Sequence, residues 1–322
     1  MSCPVETRTW IMTMIFSVSS LANAERQIEF LSSKDGVTLK GALAMPNKLK
    51  GAVLLLVGSG RTDRDETVSA SQTASGKTEK LFKQLSDTLV KREFATLRYD
   101  KRGVLDSTGK VDMGIWKTAD REHLISDAVD AAKFLSLKTG VSLSQLIILG
   151  HSEGTIISVE TAIAVGGKVR ALLLFGAQAR SMKEMLHFQL VEAQLTEKSS
   201  TYDRGKLEKQ FQEACQFIET THEDLAPDGK PINWYRQFLA APANQKRALL
   251  VQGKFVFFQG ESDRQTPFGE IQRFVDAGLK NALVFKYPGL GHGFSRELGG
   301  RPTLGPIDSK VTDDLQQVLD CI

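Results

Sequence analysis

The chain has 322 residues and carries 41 basic against 38 acidic side chains, a formal charge of +3. That near balance leaves no basic footprint for a nucleic acid, and none is expected as a partner. The length is enough for one large domain with a substantial buried core and requires no second one.

The first feature is an apolar run at 10–21, preceded by Arg8 and followed by Ala22-Asn23-Ala24. This is the pattern of a secretory signal peptide over 1–24, cleaved after Ala24. The run is too short to span a bilayer and ends in small residues. No cysteine sits at the cleavage point, so a lipoprotein is not expected. The mature chain, 25–322, is expected to be exported, periplasmic or secreted, with no stable membrane anchor. Cys3 leaves with the leader, and Cys215 and Cys321 fall at apolar positions of helical patterns, where packed thiols are expected and a disulfide is not indicated.

Residues 27–44 alternate around Lys34-Asp35-Gly36, a hairpin signal, so the fold is expected to open with antiparallel strands. The pattern then changes to a continuous apolar run at 52–57, as in a strand covered on both faces. A helix over 77–91 uses Leu81, Leu85 and Leu89, a strand follows at 94–99, and Leu124, Ala128, Ala131 and Leu135 mark one face of the next helix.

Next an apolar strand runs into Gly150-His151-Ser152-Glu153-Gly154 and emerges as a helix. A serine hydroxyl is a useful nucleophile only when a sharp strand-to-helix turn holds it clear of the sheet, and Gly-x-Ser-x-Gly in this setting supplies that turn. The amide of Glu153 starts the helix and can donate to a developing oxyanion. Another strand at 171–175 continues the alternation, which predicts an α/β fold with a mostly parallel twisted sheet and helices on both faces.

From about 177 to 247 no strand is predicted, and helical periods run through Met182, Met185, Leu186 and Leu190, then Leu207, Phe211, Ala214 and Ile218. A short helix around Trp234 and Phe238 closes the stretch. Its apolar faces make it a helical insertion, expected to lie as a cap over the site, with extra helices packed beside the sheet as the alternative, and with Met182, Met185, Phe188, Phe211, Phe217, Trp234 and Phe238 available to line a pocket. The sheet resumes at 254–259 and 282–287, separated by a helix using Ile271, Phe274 and Val275, and a final helix covers 311–321.

A nucleophilic serine needs a base, and the base needs an orienting carboxylate. Asp263 follows one late strand in Gly260-Glu261-Ser262-Asp263, and His292 follows the next in Gly289-Leu290-Gly291-His292. His123, His151, His187 and His222 follow no late strand and are expected to be structural or solvated. No metal-binding pattern and no nucleotide-binding loop is present, so neither a metal nor a cofactor is expected.

The order Ser152, Asp263, His292 is that of α/β-hydrolases, and the chain resembles that family. It is similar to bacterial secreted or periplasmic serine esterases whose first parallel strand ends in Gly-Ser-Gly-Pro-Thr-Asp-Arg-Asp. Here the stretch is Gly58-Ser59-Gly60-Arg61-Thr62-Asp63-Arg64-Asp65, and Tyr99-Asp100-Lys101-Arg102-Gly103 follows the next strand, as in that group. Two positions depart: Val57 stands where many relatives have histidine, and Arg61 replaces the proline. The resemblance implies an oxyanion hole from the backbone amides of Ser59 and Glu153, with Gly60 as the alternative donor to Ser59. Asp63, Arg64, Asp65, Asp100 and Arg102, on loops at the carboxyl ends of strands, are expected to brace these loops by ion pairs, with contact to substrate as the alternative. The expected function is cleavage of small carboxylic esters through an acyl-enzyme. A peptidase or thioesterase on the same fold and a non-catalytic binding protein are the alternatives.

Overall fold

The computed structural model describes residues 24–322 except 197–200, 281 and 300. The expected leader, apart from Ala24, and Cys3 lie outside the described residues. Alternation around the Asp-Gly pair gives β1 (Ala24–Leu31) and β2 (Thr38–Met45), paired antiparallel from Ala24 opposite Met45 to Leu31 opposite Thr38. The apolar run that follows becomes β3 (Gly51–Leu56), buried at every position. A helix, α1 (Leu81–Lys91), leads to β4 (Phe94–Tyr99), and α2 (Arg121–Thr139) leads to β5 (Ile147–His151). After β5 come α3 (Glu153–Ala164) and β6 (Lys168–Phe175).

The helices α4 (Met182–His187), α5 (Arg204–Thr220), α6 (Ile232–Ala240) and α7 (Asn244–Ala248) then precede β7 (Gln252–Gly260). The chain ends with α8 (Gly269–Asp276), β8 (Leu283–Tyr287) and α9 (Ser309–Cys321). The eight strands form one sheet in the order β1-β2-β4-β3-β5-β6-β7-β8. Pairing is parallel from β4 through β8, and antiparallel in β1–β2 and β2–β4. This is the α/β-hydrolase fold.

Because side chains alternate across a strand, each central strand feeds two cores. Leu54, Leu56, Ile148, Leu172, Leu174 and Phe257 pack toward α2, α3 and α8, and Val53, Leu55, Ile147, Leu149, Leu173 and Phe258 pack toward α1 and α9. Full burial of each large apolar side chain contributes about 1.5–3 kcal/mol, which is why these strands read as unbroken apolar runs. Local chemistry sets the helix ends. Asp120 caps α2 by accepting the His123 amide, Gly140 ends it with φ of 73°, and Ser181 and Glu184 form a reciprocal capping box on α4.

Three expectations are corrected. The helix expected from residue 77 begins at Leu81, because Glu79 and Lys80 pair with Thr67 and Val68 in a short ribbon and the Phe82 amide is taken by the Asp65 carbonyl. Val275 is 45% exposed, since α8 turns Glu270, Ile271 and Phe274 inward and Val275 away. Cys321 is exposed and Cys215 half-buried, and both are free thiols, so neither is a core residue. Among the described residues no helix is long and apolar enough to cross a membrane.

Candidate active site

Ser152 sits between the end of β5 and the first residue of α3 with φ of 54° and ψ of −121°. A non-glycine residue there stores about 1–3 kcal/mol of backbone strain, which the surrounding packing must hold. The turn is closed tightly enough that a Cβ at Gly150 would stand 2.2 Å from the Gly154 carbonyl oxygen, and one at Gly154 2.0 Å from that of Leu56. The Ser152 amide donates to the Phe175 carbonyl at 3.0 Å, which fixes the elbow to the end of β6.

Asp263 and His292, on the loops after β7 and β8, are brought together. Nδ1 of His292 donates to Asp263 Oδ2 at 2.8 Å, which leaves Nε2 as the unprotonated nitrogen of a neutral ring. Both are buried. The other carboxylate oxygen of Asp263 accepts the amides of Gln265 and Thr266 at 2.8 and 2.9 Å, and the Thr266 hydroxyl donates to Oδ2 at 2.7 Å. Burial opposes ionisation of Asp263, but the His292 ring and these bonds outweigh it and hold its pKa below the ordinary carboxylate value. The ring of His292 abuts the end of β6, where a Cβ on Gly176 would lie 3.3 Å from Nδ1 and Cε1. Ser152 and His292 thus both lie against the end of β6, at Phe175 and Gly176 respectively.

The loop after β3 completes the arrangement. A Cβ on Gly58 would come within 3.4 Å of Ser152 Cβ, so the backbone leading to Ser59 runs beside the serine, while Glu153 heads α3. The Gly58 amide donates to Glu66 Oε1 at 2.5 Å, and its carbonyl accepts Lys101 Nζ at 2.6 Å. The charged loop residues brace as expected. Arg64 forms a forked pair with Asp100, Arg98 and Lys80 hold Asp65, and Asp63 accepts the Thr67 amide and hydroxyl. Arg102 is fully buried between Asp127 and Asp35; burial disfavours its charge, but those carboxylates raise its pKa above the ordinary value.

Sequence reasoning missed the parts played by two buried residues, Glu66 and Lys101, and it gave Trp234 an apolar role where the indole N–H has a polar partner. Lys101 Nζ donates to Glu153 Oε1 at 2.8 Å, and Trp234 Nε1 on α6 donates to Glu153 Oε2 at 2.6 Å. Arg61, the departure from proline, reaches the Gly229 carbonyl at 3.5 Å, a carbonyl that also accepts Trp116 Nε1 at 2.8 Å. The remaining histidines are placed as follows. His123 faces Asp120 and His187 faces Glu208, while His222 is exposed. His151 is buried beside His292. His187, Glu192 and Glu208 lie close enough together to be considered as metal ligands, but Glu192 is already held at two points by Arg204.

Of the residues expected to line a pocket, Met182, Trp234 and Phe238 instead join the core above the sheet, and Met185 is 1% exposed. Phe211 and Phe217 do border a cavity of about 520 Å³ between α4, α5 and α6, with Leu186, Leu190, Ala214 and Ile218 among its walls.

The family model for serine aminopeptidase S33 matches residues 75–299. No curated protein matches the chain. Among solved structures the chain is similar to Est1E from Butyrivibrio proteoclasticus with ferulic acid bound, at 15% identity and TM-score 0.58, over 91% of this chain and 97% of that one. It is also similar to a highly thermostable carboxyl esterase from Bacillus coagulans in complex with glycerol, at 16% identity and TM-score 0.56, over 92% and 97%. A third likeness, at 13% identity and TM-score 0.57, is to the Pyrococcus horikoshii acylaminoacyl peptidase, covering 94% of this chain but 42% of that one.

Proposed function

The chain belongs to the serine aminopeptidase S33 family, and on that premise we propose that it is an exported serine hydrolase that cleaves carboxylic esters through an acyl-enzyme. The observation that carries this is the 2.8 Å bond from His292 Nδ1 to Asp263 Oδ2, made beside a serine held in a strained strand-to-helix turn. In this reading Ser152 Oγ attacks the acyl carbon as His292 Nε2 takes its proton. The same nitrogen protonates the departing alkoxide, and water then releases the acyl group by the reverse proton path. Asp263 orients the ring and stabilises its charged form. The amides of Ser59 and Glu153 receive the oxyanion, which strengthens those bonds in the transition state.

Esters are favoured by the Gly58–Asp65 loop, which resembles that of secreted esterases, and by the esterase folds the chain is similar to. A second reading, cleavage of peptide or aminoacyl amides, is favoured by the family's own description. Purified protein assayed on esters of graded acyl length, aminoacyl amides and thioesters decides between them. Ester turnover is expected to dominate; amide cleavage at comparable rates would establish the peptidase reading.

The insertion is proposed to roof the acyl site and to set chain-length preference. Supporting this, Trp234 joins α6 to Glu153 at the elbow, and Tyr235 and Leu239 of the same helix line the apolar cavity. Each methylene buried there would be worth about 0.8 kcal/mol, or roughly fourfold in kcat/KM. Ala214→Phe is therefore expected to shift the preferred acyl length downward, while Phe211→Ala favours longer chains. Identical length profiles for both variants and the native protein would reduce the insertion to structural packing.

A further inference from the structure

His151 lies next to the proposed nucleophile in sequence and next to the proposed base in space, yet the triad does not use it. Its ring centroid is 4.7 Å from that of His292 and 6.2 Å from that of Phe294, and the ring is buried. Nε2 lies 3.0 Å from the backbone carbonyl oxygen of His292, and Nδ1 lies 2.9 Å from Glu66 Oε2. A carbonyl oxygen can only accept, so Nε2 carries a proton. The Gly58 amide occupies Glu66 Oε1 at 2.5 Å, which leaves Oε2 for the ring; a glutamate side chain is ordinarily a carboxylate at neutral pH, so Oε2 accepts and Nδ1 donates as well. An imidazole that donates from both nitrogens is an imidazolium.

We propose that His151 is a positioning residue, an imidazolium strut that ties the Glu66-anchored oxyanion loop to the backbone of His292 and so fixes the oxyanion donors and the base relative to Ser152. The proposal rests on the serine hydrolase reading. It assigns Glu66 a matching part: one carboxylate takes the Gly58 amide on one side and the strut on the other. The charged groups facing His151 are consistent with this. Glu66 is in direct contact and Asp263 stands behind the His292 ring, while Lys101 and Glu153 neutralise each other at the carbonyl end of Gly58. Burial disfavours the charge, but Glu66, the His292 carbonyl and Asp263 outweigh it and raise the pKa of His151 above the ordinary imidazole value.

The sign of the pH effect follows. With a raised folded-state pKa, the strut is intact at and below the ordinary imidazole value and is lost as pH rises through the raised one. Deprotonation removes one of the two donated bonds, so the two loops separate and kcat falls on the alkaline side. Histidine-selective ¹⁵N NMR on the whole protein, from about pH 6 to about 9, reads the charge directly. The signal lost in His151→Gln is expected to show both ring nitrogens protonated at neutral pH. A bare Nδ1 at neutral pH would overturn the proposal.

The second arm is kinetic. His151→Gln keeps at most one of the two bonds, and its kcat on an ester is expected to fall on the order of tenfold with KM little changed. Its alkaline limb should flatten. Glu66→Gln, which removes the counter-charge, should move that limb to lower pH. A folded His151→Gln protein with native kcat and an unchanged alkaline limb would also overturn the proposal. Failure of the hydrolase reading looks different: native protein that takes no phosphonate label at Ser152 while His151 remains doubly protonated.

Discussion

Ser152→Ala is expected to lose ester turnover on the order of 10⁵-fold and to take no label from a serine-directed phosphonate, with the fold intact. His292→Ala should cost a similar factor, because nucleophile and base act as a unit. Asp263→Asn should cost about 10⁴-fold, since the ring then loses the partner that sets its tautomer. The strained backbone adds a second readout. Ser152 sits at φ of 54°, where glycine carries no Cβ penalty, so Ser152→Gly should be as inactive as Ser152→Ala yet more stable by about 1 kcal/mol. Urea unfolding of the two variants measures that difference. A Ser152→Ala protein keeping more than about 1% of native turnover would remove Ser152 from the nucleophile's role.

The framework was legible in the sequence because its signals are local. The strands at Gly51–Leu56, Ile147–His151 and Lys168–Phe175 read as apolar runs since helices cover both faces of the sheet. Asp263 and His292 stood out because each closely follows a late strand, where loops of a parallel sheet gather. The missing parts are those whose partners are distant in the chain. Glu66 meets His151 across 85 positions, Glu153 meets Lys101 across 52 and Trp234 across 81. No periodicity encodes such pairings, and charge alone does not say which distant partner a loop residue takes. The start of α1 failed for a related reason. Glu79 and Lys80 have ordinary helix propensity, but the backbone of the Asp65–Glu66 loop competes for that turn and wins.

The carboxylate of Glu153 is the point at which three segments meet, and Lys101→Met should expose its importance. Lys101 and Glu153 are both buried, Nζ also holds the Gly58 carbonyl, and the second carboxylate oxygen holds Trp234 of α6. Replacing the lysine by an apolar chain of similar length keeps the packing but strands a buried negative charge, a change that costs about 3–5 kcal/mol. The double variant Lys101→Met/Glu153→Gln should recover most of that loss, because a neutral amide oxygen still accepts the Trp234 indole N–H and no charge remains to be compensated. Activity should not recover with stability. In both variants the Gly58 carbonyl lacks its donor, so the loop carrying the Ser59 amide is free to shift, and kcat should stay depressed while the unfolding midpoint returns. Urea unfolding paired with kcat separates the two effects. If Lys101→Met unfolds within about 1 kcal/mol of the native protein, or if kcat returns together with stability in the double variant, the ion pair is packing alone and the oxyanion loop does not depend on it.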